Sequence, residues 1–154
     1  MSELIGRYRR GPEFLESALA GVTEEEANFH REPGKWNIKQ LARHLTDTEI
    51  LAAARFRTII AEDNPVLAGF KPDDWAAGLK YDQASLAEST AVFRALRIDN
   101  ANLLEQSGEA ALARTGQHTV RGPMSIQQFV ELFLKHVDTH VRHIEEIRAE
   151  WSAK

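Results

Sequence analysis

Two histidines four residues apart, His136 and His140, are the side chains of this sequence best placed to do chemistry. Residues four apart in an α-helix lie one turn apart on the same side, so both imidazoles can point at one volume. Imidazole nitrogens bind divalent metal ions. A third histidine, His44, lies in a separate segment at the edge of a predicted apolar seam. We predict that His44, His136 and His140 together bind one divalent ion.

The pair belongs to the strongest helical pattern in the chain, from Ser125 to Trp151. Ser125 with Gln128 three residues later forms a capping box, which predicts the start of the helix. The apolar residues that cluster on one side at helical spacing are Ile126, Phe129, Phe133, Val137, Ile144, Ile147 and Trp151. His140 falls within this stripe, where an unpartnered imidazole would be costly to bury. His143 is predicted to project toward solvent.

His44 lies in a second predicted helix, from about Ile38 to Glu62. Asn37 and Gln40 repeat the capping box at its start. The residues predicted to face inward are Leu41, Leu45, Thr48, Ala52, Phe56 and Ile59. His44 lies two turns inside this helix at the edge of that seam. The alternative for all three histidines is a set of surface imidazoles, because a pair four apart also arises by chance.

Several other side chains could assist such a site. Asp47 and Asp138 lie close enough along their helices to hold a ring nitrogen of a ligand, although either could be a solvated helix charge. Candidates for a general base are Asp47, Glu49 and His118, although His118 is more readily explained as a loop residue. Trp36, Trp75 and Tyr81 could line a pocket or simply pack in the core. Val137 follows the first histidine of the pair, where zincin proteases carry a glutamate, so no protease mechanism is indicated.

Composition limits the classes of protein that the chain can represent. With 154 residues, of which 43% are hydrophobic, we expect one domain spanning residues 1–154. A net charge of -4 with scattered basic residues makes a nucleic-acid partner a poor expectation. We expect a cytoplasmic protein without a membrane partner, because no stretch approaches the roughly 18 apolar residues of a membrane span. The absence of cysteine excludes disulfides and thiolate ligands.

The remaining segments predict two more helices. Residues 3–20 have helical spacing interrupted by Gly11-Pro12, so we expect a kinked helix or two short ones. A third long helix begins near Asp82 or Ser85 and continues to Ser107. Residues 109–124 are predicted to form an ordered connection, and no convincing strand pattern is present. The connection from Pro65 to Tyr81 carries the apolar residues Phe70 and Trp75. We predict that it lies across the mouth of the bundle and helps to shape a substrate pocket.

Four long helices without strands predict an all-α four-helix bundle. The connection between helices 2 and 3 is long enough to reach from one end of the bundle to the other, at roughly 3.3 Å per extended residue. Helix 3 therefore need not be antiparallel to helix 2. An up-down-down-up topology with a long crossover between helix 2 and helix 3 is permitted.

Three short motifs of the sequence resemble the DinB/YfiT-like superfamily of metalloenzymes. They are Pro33-Gly34-Lys35-Trp36-Asn37-Ile38, then His44-Leu45 with Asp47 and Glu49, and finally Lys135-His136 with His140. The family's metal-binding triad is one histidine early in helix 2 and two histidines four apart in helix 4, which here are His44, His136 and His140. The resemblance implies an up-down-down-up four-helix bundle, often a homodimer, with one divalent ion in an open-sided site. Zinc, nickel, iron and manganese all accept imidazole ligands.

The resemblance also implies a range of activities, because members of the family include thiol-dependent S-transferases and isomerases that use bacillithiol or mycothiol. On the basis of this resemblance, our first expectation is a thiol-dependent S-transferase acting on a small electrophile. The chain has no cysteine, so the thiol would come from outside, and the metal could activate it as it could activate water. The second is a metal-dependent hydrolase that activates water. The third is a non-catalytic binding or dimerisation module. We expect a small-molecule substrate, with a low-molecular-weight thiol as a partner in the first case.

Overall fold

Four long helical units form a bundle in the computed structural model, which describes residues 3–154. The first unit consists of two short helices end to end, and the other three units are single helices: α1 (Glu3–Arg9) with α2 (Gly11–Leu19), α4 (Ile38–Ala61), α6 (Leu86–Ser107) and α7 (Ile126–Ser152). Two shorter helices, α3 (Glu24–Ala27) and α5 (Pro72–Gly78), and two 3-10 turns, Tyr81–Gln83 and Glu109–Ala113, lie in the connections. The predicted four-helix bundle is confirmed.

Local sequence signals account for where the helices begin. The Asn37 and Ser125 side chains accept hydrogen bonds from the backbone N–H groups of Gln40 and Gln128, which completes both predicted capping boxes. The Ser85 side chain accepts from the backbone N–H of Glu88, so Ser85 rather than Asp82 caps α6. The first helical unit breaks at residue 10, immediately before Gly11-Pro12, as the proline predicts.

Hydrogen bonds between helices establish the topology. Thr46 Oγ1 on α4 donates to the Ser89 carbonyl oxygen on α6 at 2.8 Å, and Arg57 Nη1 further along α4 donates to Asn100 Oδ1 further along α6 at 2.9 Å. The two helices are therefore parallel. The first unit is antiparallel to α6, because its early Arg9 pairs with the late Glu105. Helix α7 is antiparallel to α4, so the bundle is up-down-down-up with a crossover between α4 and α6.

A three-stranded sheet at one end of the bundle corrects our expectation that the connections contain no strands. β1 (Val66–Leu67) pairs parallel with β2 (Thr115–His118), which pairs antiparallel with β3 (Gly122–Ser125). Strands of two to four residues are too short to show an alternating apolar pattern, and glycine and proline occupy several of their positions. The sheet fastens the start of the crossover to the hairpin before α7.

One glycine allows the strands to approach the bundle closely. A Cβ atom at Gly116 would lie 2.8 Å from Leu67 Cδ1 and 3.2 Å from Ile59 Cγ1. Any side chain at this position would therefore push β2 away from β1 and α4. This close approach explains why the buried position 116 is a glycine.

Two apolar clusters fill the bundle, and a buried polar layer lies between them. One cluster includes Phe56, Phe129 and Phe133, and the other includes Leu45, Phe93 and Val137. The polar layer consists of Tyr8, Glu49, Arg97 and Asn100, each at most 1% exposed. Val92 of α6 lies outside both clusters and is 41% exposed. No helix among the described residues combines the length and apolar character of a membrane span.

Candidate metal centre

Helices α4 and α7 bring His44, His136 and His140 together at one point. His136 Nε2 lies 2.9 Å from His44 Nε2 and 3.0 Å from His140 Nε2. The ring centroids are 4.5 to 4.9 Å apart, and the rings are nearly perpendicular. The convergence predicted from spacing is therefore present. Their ligand nitrogens all lie within 4.8 Å of one another, close enough to share an ion, and no other group of three or more histidine or acidic side chains in residues 3–154 does so.

The geometry of these nitrogens fits a divalent ion. Imidazole nitrogens that bind zinc at about 2.0 to 2.1 Å in a tetrahedral arrangement lie about 3.3 Å from one another. Nδ1 of His44 and Nδ1 of His140 are buried with no hydrogen-bond partner in the described part of the chain. An ion bound through Nε2 would leave these Nδ1 atoms as they are, so the fit rests on the Nε2 atoms. His44 is buried and His136 and His140 are partly buried, and imidazoles whose Nε2 atoms face one another would be costly to desolvate without a common ligand. The nitrogen donor set suits zinc, nickel, iron and manganese.

Burial keeps the three imidazoles neutral. It is the main cause that lowers the pKa of His44, His136 and His140 to about 3 each, and repulsion from a neighbouring imidazole adds to it. The positive charge of Arg97 lowers the pKa of His136 further. Metal ligation requires the unprotonated ring. The folded chain therefore holds all three imidazoles in the neutral form that metal binding needs at neutral pH.

These pKa values predict how the stability of the metal-free protein depends on pH. In the unfolded chain the imidazoles take up protons near pH 6.5, whereas in the folded chain they stay neutral until about pH 3. Proton uptake therefore favours unfolding, so the free energy of unfolding should fall as the pH is lowered from about 6.5, by up to about 1.4 kcal/mol per pH unit for each histidine. Urea unfolding at about pH 7.5 and about pH 5.5 measures this fall.

The variant His136→Gln serves as the comparison for that measurement. It removes one of the titrating groups, so its stability should fall less between the two pH values than that of the native chain. Equal falls in the two proteins would show that the buried histidines do not cause the pH dependence.

Aromatic side chains form the wall around His44. The Trp36 ring lies 4.9 Å from the His44 ring, and the Phe70 ring lies 6.2 Å from it on the crossover. Trp75 of α5 packs on Phe70 at 4.8 Å. The Tyr81 ring lies 6.2 Å from Trp36. The crossover thus contributes an ordered aromatic wall beside the histidines, as its apolar content predicted.

A cleft of about 530 Å³ lies beside the site, and His140, His143 and Trp36 are among the residues that line it. Charged side chains of both signs also line the cleft: Arg31, Glu32, Lys35, Asp73 and Glu146. Arg31 pairs with Glu146 at 2.8 Å, which ties the loop before α4 to α7. A small molecule could reach the histidines through this cleft.

The aromatic wall leads to a prediction about the crossover. Deleting the whole segment would also remove β1 and Tyr81, so the narrower double substitution Phe70→Ala with Trp75→Ala is a cleaner test. We expect it to lower activity several-fold while metal content, measured by elemental analysis, stays near the native value, because neither ring is a ligand. Leu79→Ala, at a position 56% exposed in the same crossover, is the matched control. A proportional loss of metal and activity would contradict a role in shaping the pocket.

The carboxylates that we predicted to assist the site form hydrogen bonds and ion pairs with other residues instead. Asp47 accepts a hydrogen bond from the Tyr81 hydroxyl at 2.7 Å and pairs with Arg43 at 2.8 Å. Glu49 pairs with Arg97 at 2.8 Å and accepts from Asn100 at 2.8 Å and from the Tyr8 hydroxyl. Neither carboxylate has a hydrogen bond to the three histidines. Asp138 is exposed and likewise makes no such contact.

His118 and Thr48 also differ from expectation. His118 is a buried residue of β2 that bonds to backbone N–H groups of its own hairpin, and it has no contact with the three-histidine cluster. We had predicted Thr48 only as an inward-facing core residue. Its Oγ1 lies 3.5 Å from Nδ1 of the candidate ligand His136, so the hydroxyl is a neighbour of the site. Its position one turn after His44 was the available signal.

His143 lies closer to the site than its predicted solvent-facing position suggested. Its ring is half-buried, 5.5 Å from the His140 ring, and lines the same cleft. The side chain is three residues beyond His140, which is the other helical spacing that puts two residues on one face. His143 therefore adds a titratable group to the cleft beside the converging nitrogens.

Comparisons with known proteins find relatives that match nearly the whole chain. A protein of Oceanobacillus iheyensis named "Putative metal-dependent hydrolase" is 25% identical over 153 residues, which are 98% of this chain and 88% of that protein. A protein of Geobacillus thermodenitrificans with the same name is 26% identical over 149 residues, 96% of this chain and 84% of that protein.

A solved structure shares the fold. YfiT from Bacillus subtilis, described as a probable metal-dependent hydrolase with an unusual four-helix bundle topology, superposes with a TM-score of 0.89 at 20% identity. The match covers 99% of this chain and 90% of that one. The profile of the DinB superfamily matches residues 7–144, which include all three converging histidines. That match, over most of the chain, shows that this protein is a member of the DinB superfamily.

Proposed function

We propose that His44, His136 and His140 bind one divalent metal ion and that the chain is a metal-dependent hydrolase acting on a small molecule. The observation that carries the proposal is the convergence of three neutral Nε2 atoms, with His136 Nε2 within 3.0 Å of the other two. The names of the relatives from Oceanobacillus iheyensis and Geobacillus thermodenitrificans support metal-dependent hydrolysis.

Three histidine ligands, rather than four, are typical of a catalytic site because they leave a coordination position open. A divalent ion held there would lower the pKa of water and polarise a carbonyl or phosphoryl oxygen of the substrate. Imidazole ligands carry no charge, so they leave the charge of the ion uncompensated for this purpose. Zinc, nickel, iron and manganese are all compatible with this donor set.

The chain's own residues supply the remaining functions of such a site. The cleft lined by Trp36, His140 and His143 admits the substrate. Trp36 and Phe70 pack beside His44 and limit the access of bulk water from that side. His143 has the cleft position of a proton acceptor, whereas Asp47 and Glu49 are held by other partners. We therefore assign the transfer of the proton in hydrolysis to the His143 imidazole.

Hydrolysis replaces thiol transfer as our first choice. The preference for a thiol came from the resemblance to the family, and a metal site of this kind can activate either water or a thiol. The relatives reported above are named hydrolases. The assay described next is therefore run both with and without a low-molecular-weight thiol.

The test uses the full chain purified without a histidine tag, since a tag could itself carry metal. Elemental analysis should find about one divalent ion per chain. The metal-loaded protein is then assayed with a panel of esters, amides and phosphate esters, with and without added thiols. We expect metal-dependent hydrolysis that needs no thiol and is lost with a chelator. Metal-dependent consumption of an electrophile only when thiol is present would overturn the hydrolase in favour of the transferase.

The role assigned to His143 is tested separately. His143→Gln should lower kcat by roughly 10²-fold or more, the usual contribution of a positioned acid or base, while metal content is unchanged. The pH profile of kcat should also lose the limb due to this group. An unchanged kcat and pH profile would exclude His143 as the proton acceptor.

A further inference from the structure

A second cluster of basic side chains lies outside the three-histidine site. The Arg55 guanidinium on α4 is buried and packs over the Phe129 ring at 5.3 Å. Arg55 Nη2 donates to the Ala68 carbonyl oxygen at 2.9 Å and lies 3.3 Å from His118 Nε2. Arg121 is exposed in the turn between β2 and β3, three residues after His118. The Arg55 and His118 side chains thus meet, and Arg121 is near enough for its charge to lower the pKa of both.

No carboxylate neutralises this cluster. Ion pairs join many arginines of the described chain to acidic groups, including Arg57 with Asp99 and Arg97 with Glu49. Within residues 3–154, neither Arg55 nor Arg121 forms an ion pair. The pKa of Arg55 is lowered by burial and by the positive charge of Arg121. A guanidinium that is 7% exposed, with a cation rather than an anion near it, is an unfavourable arrangement without a ligand.

The hydrogen bonds of His118 provide an independent sign of a missing acceptor. His118 Nδ1 accepts from the backbone N–H groups of Val120 at 3.1 Å and Arg121 at 3.3 Å, so the ring proton is on Nε2. Nε2–H then faces Arg55 Nη2, which is also a donor, at 3.3 Å. Two donors face each other in a nine-tenths buried position. A negatively charged oxygen that accepts from both would satisfy them.

We propose that Arg55, His118 and Arg121 bind a small oxyanion group, a carboxylate or a phosphate. Guanidinium groups present paired donors that match the oxygens of both. The site is separate from the metal centre, because Arg55 follows His44 on α4 by about 16 Å of helix at about 1.5 Å per residue. Both lie on the same side of α4, since a step of eleven residues completes about three turns.

The crossover connects the two sites. Ala68 accepts the hydrogen bond from Arg55, and a Cβ atom at Gly69 would lie 3.4 Å from His118 Cε1. The next residue, Phe70, packs beside His44. An oxyanion bound to Arg55 and His118 therefore lies against the same short segment that forms the aromatic wall of the metal centre.

Calorimetric titration of the full-length, chelator-treated protein with inorganic phosphate and with acetate tests the proposal. Treatment with a chelator removes any ion at the three histidines that could bind the probe. In a chloride-free buffer of low ionic strength we expect saturable binding of at least one probe to the native chain, and the two arms distinguish phosphate from carboxylate. Arg55→Gln should abolish binding, and Arg121→Gln should weaken it by about tenfold, the loss of one charged hydrogen-bonding partner.

Arg57→Gln is the matched control, because it removes the same charge two residues away on α4 from an exposed arginine paired with Asp99. Its affinity should equal that of the native chain. If Arg55→Gln fails to fold by circular dichroism, the exposed Arg121 decides the question. The proposal is overturned if the native chain shows no saturable binding at millimolar probe, or if Arg57→Gln and Arg121→Gln weaken binding equally. The result is independent of whether the metal centre is hydrolytic.

Discussion

Replacing any one of His44, His136 and His140 by alanine should remove the metal ion. Loss of a group that merely orients a ligand typically lowers metal affinity roughly 10- to 100-fold, so the loss of one ligand among three should exceed roughly 100-fold. The two remaining imidazoles would also face an empty position in a buried site. Equilibrium dialysis against zinc followed by elemental analysis should find about one ion per native chain and close to none per variant.

His143→Ala is the matched control for the metal-binding experiment, because its ring lies 5.5 Å from the His140 ring but outside the converging set. This variant should retain the ion. A thermal-unfolding scan gives a second readout, since saturating metal raises the unfolding temperature only of chains that bind it. Retention of the ion by His136→Ala together with its loss from His143→Ala would show that our ligand assignment is wrong.

The second large effect concerns the buried polar layer, where Glu49→Ala should destabilise the fold by about 3 to 5 kcal/mol. Arg97 and Glu49 are each 1% exposed, and Arg97 Nη2 lies 2.8 Å from Glu49 Oε2. Removing the carboxylate leaves a buried guanidinium unpaired and takes the acceptor from Tyr8 and Asn100. Domains of this kind have only about 5 to 15 kcal/mol of stability in total, so the loss should be large in urea unfolding.

Two further variants make the interpretation specific. Glu16→Ala breaks a half-exposed pair at the surface whose two hydrogen bonds from Arg94 are both 2.6 Å, and it should cost no more than about 1 kcal/mol. Glu49→Met combined with Arg97→Met should be less destabilising than Glu49→Ala alone, because no buried charge is left unpaired. If Glu49→Ala costs no more than Glu16→Ala, the buried pair does not contribute as we describe.

The buried pair also has a structural role at the break in the first helical unit. The Arg97 guanidinium packs over the Tyr8 ring at 4.0 Å, and a Cβ atom at Gly11 would lie 3.2 Å from Arg97 Nη1. Gly11 thus leaves room for the guanidinium at the point where Pro12 interrupts the helix. The charge of Arg97 is also one cause of the lowered pKa of His136, so the polar layer helps to keep that imidazole neutral.

Local sequence was sufficient to predict the long helices and the three converging histidines. Capping boxes, Gly11-Pro12 and helical apolar spacing depend on residues within a few positions of one another, and such short-range effects can be read directly from a sequence. The i,i+4 spacing of His136 and His140 and the seam position of His44 follow from helix geometry alone. The length of the crossover showed only that an up-down-down-up topology is permitted. The resemblance to the family was needed to predict that topology.

Only the tertiary structure decided the partners of the polar residues. Asp47 and Glu49 were plausible bases in the sequence, but Tyr81 holds Asp47, and Tyr8 and Arg97 hold Glu49. Only the pair of Asp47 with Arg43, four residues apart on α4, follows from helix spacing. The other three partners come from distant segments, which spacing cannot specify. The same is true of the small sheet, because strands of two to four residues are stabilised by pairing between distant segments rather than by their own pattern. The sequence of α4 and α7 by itself determined which histidines could share an ion. Long-range packing determined which other charges stand beside them.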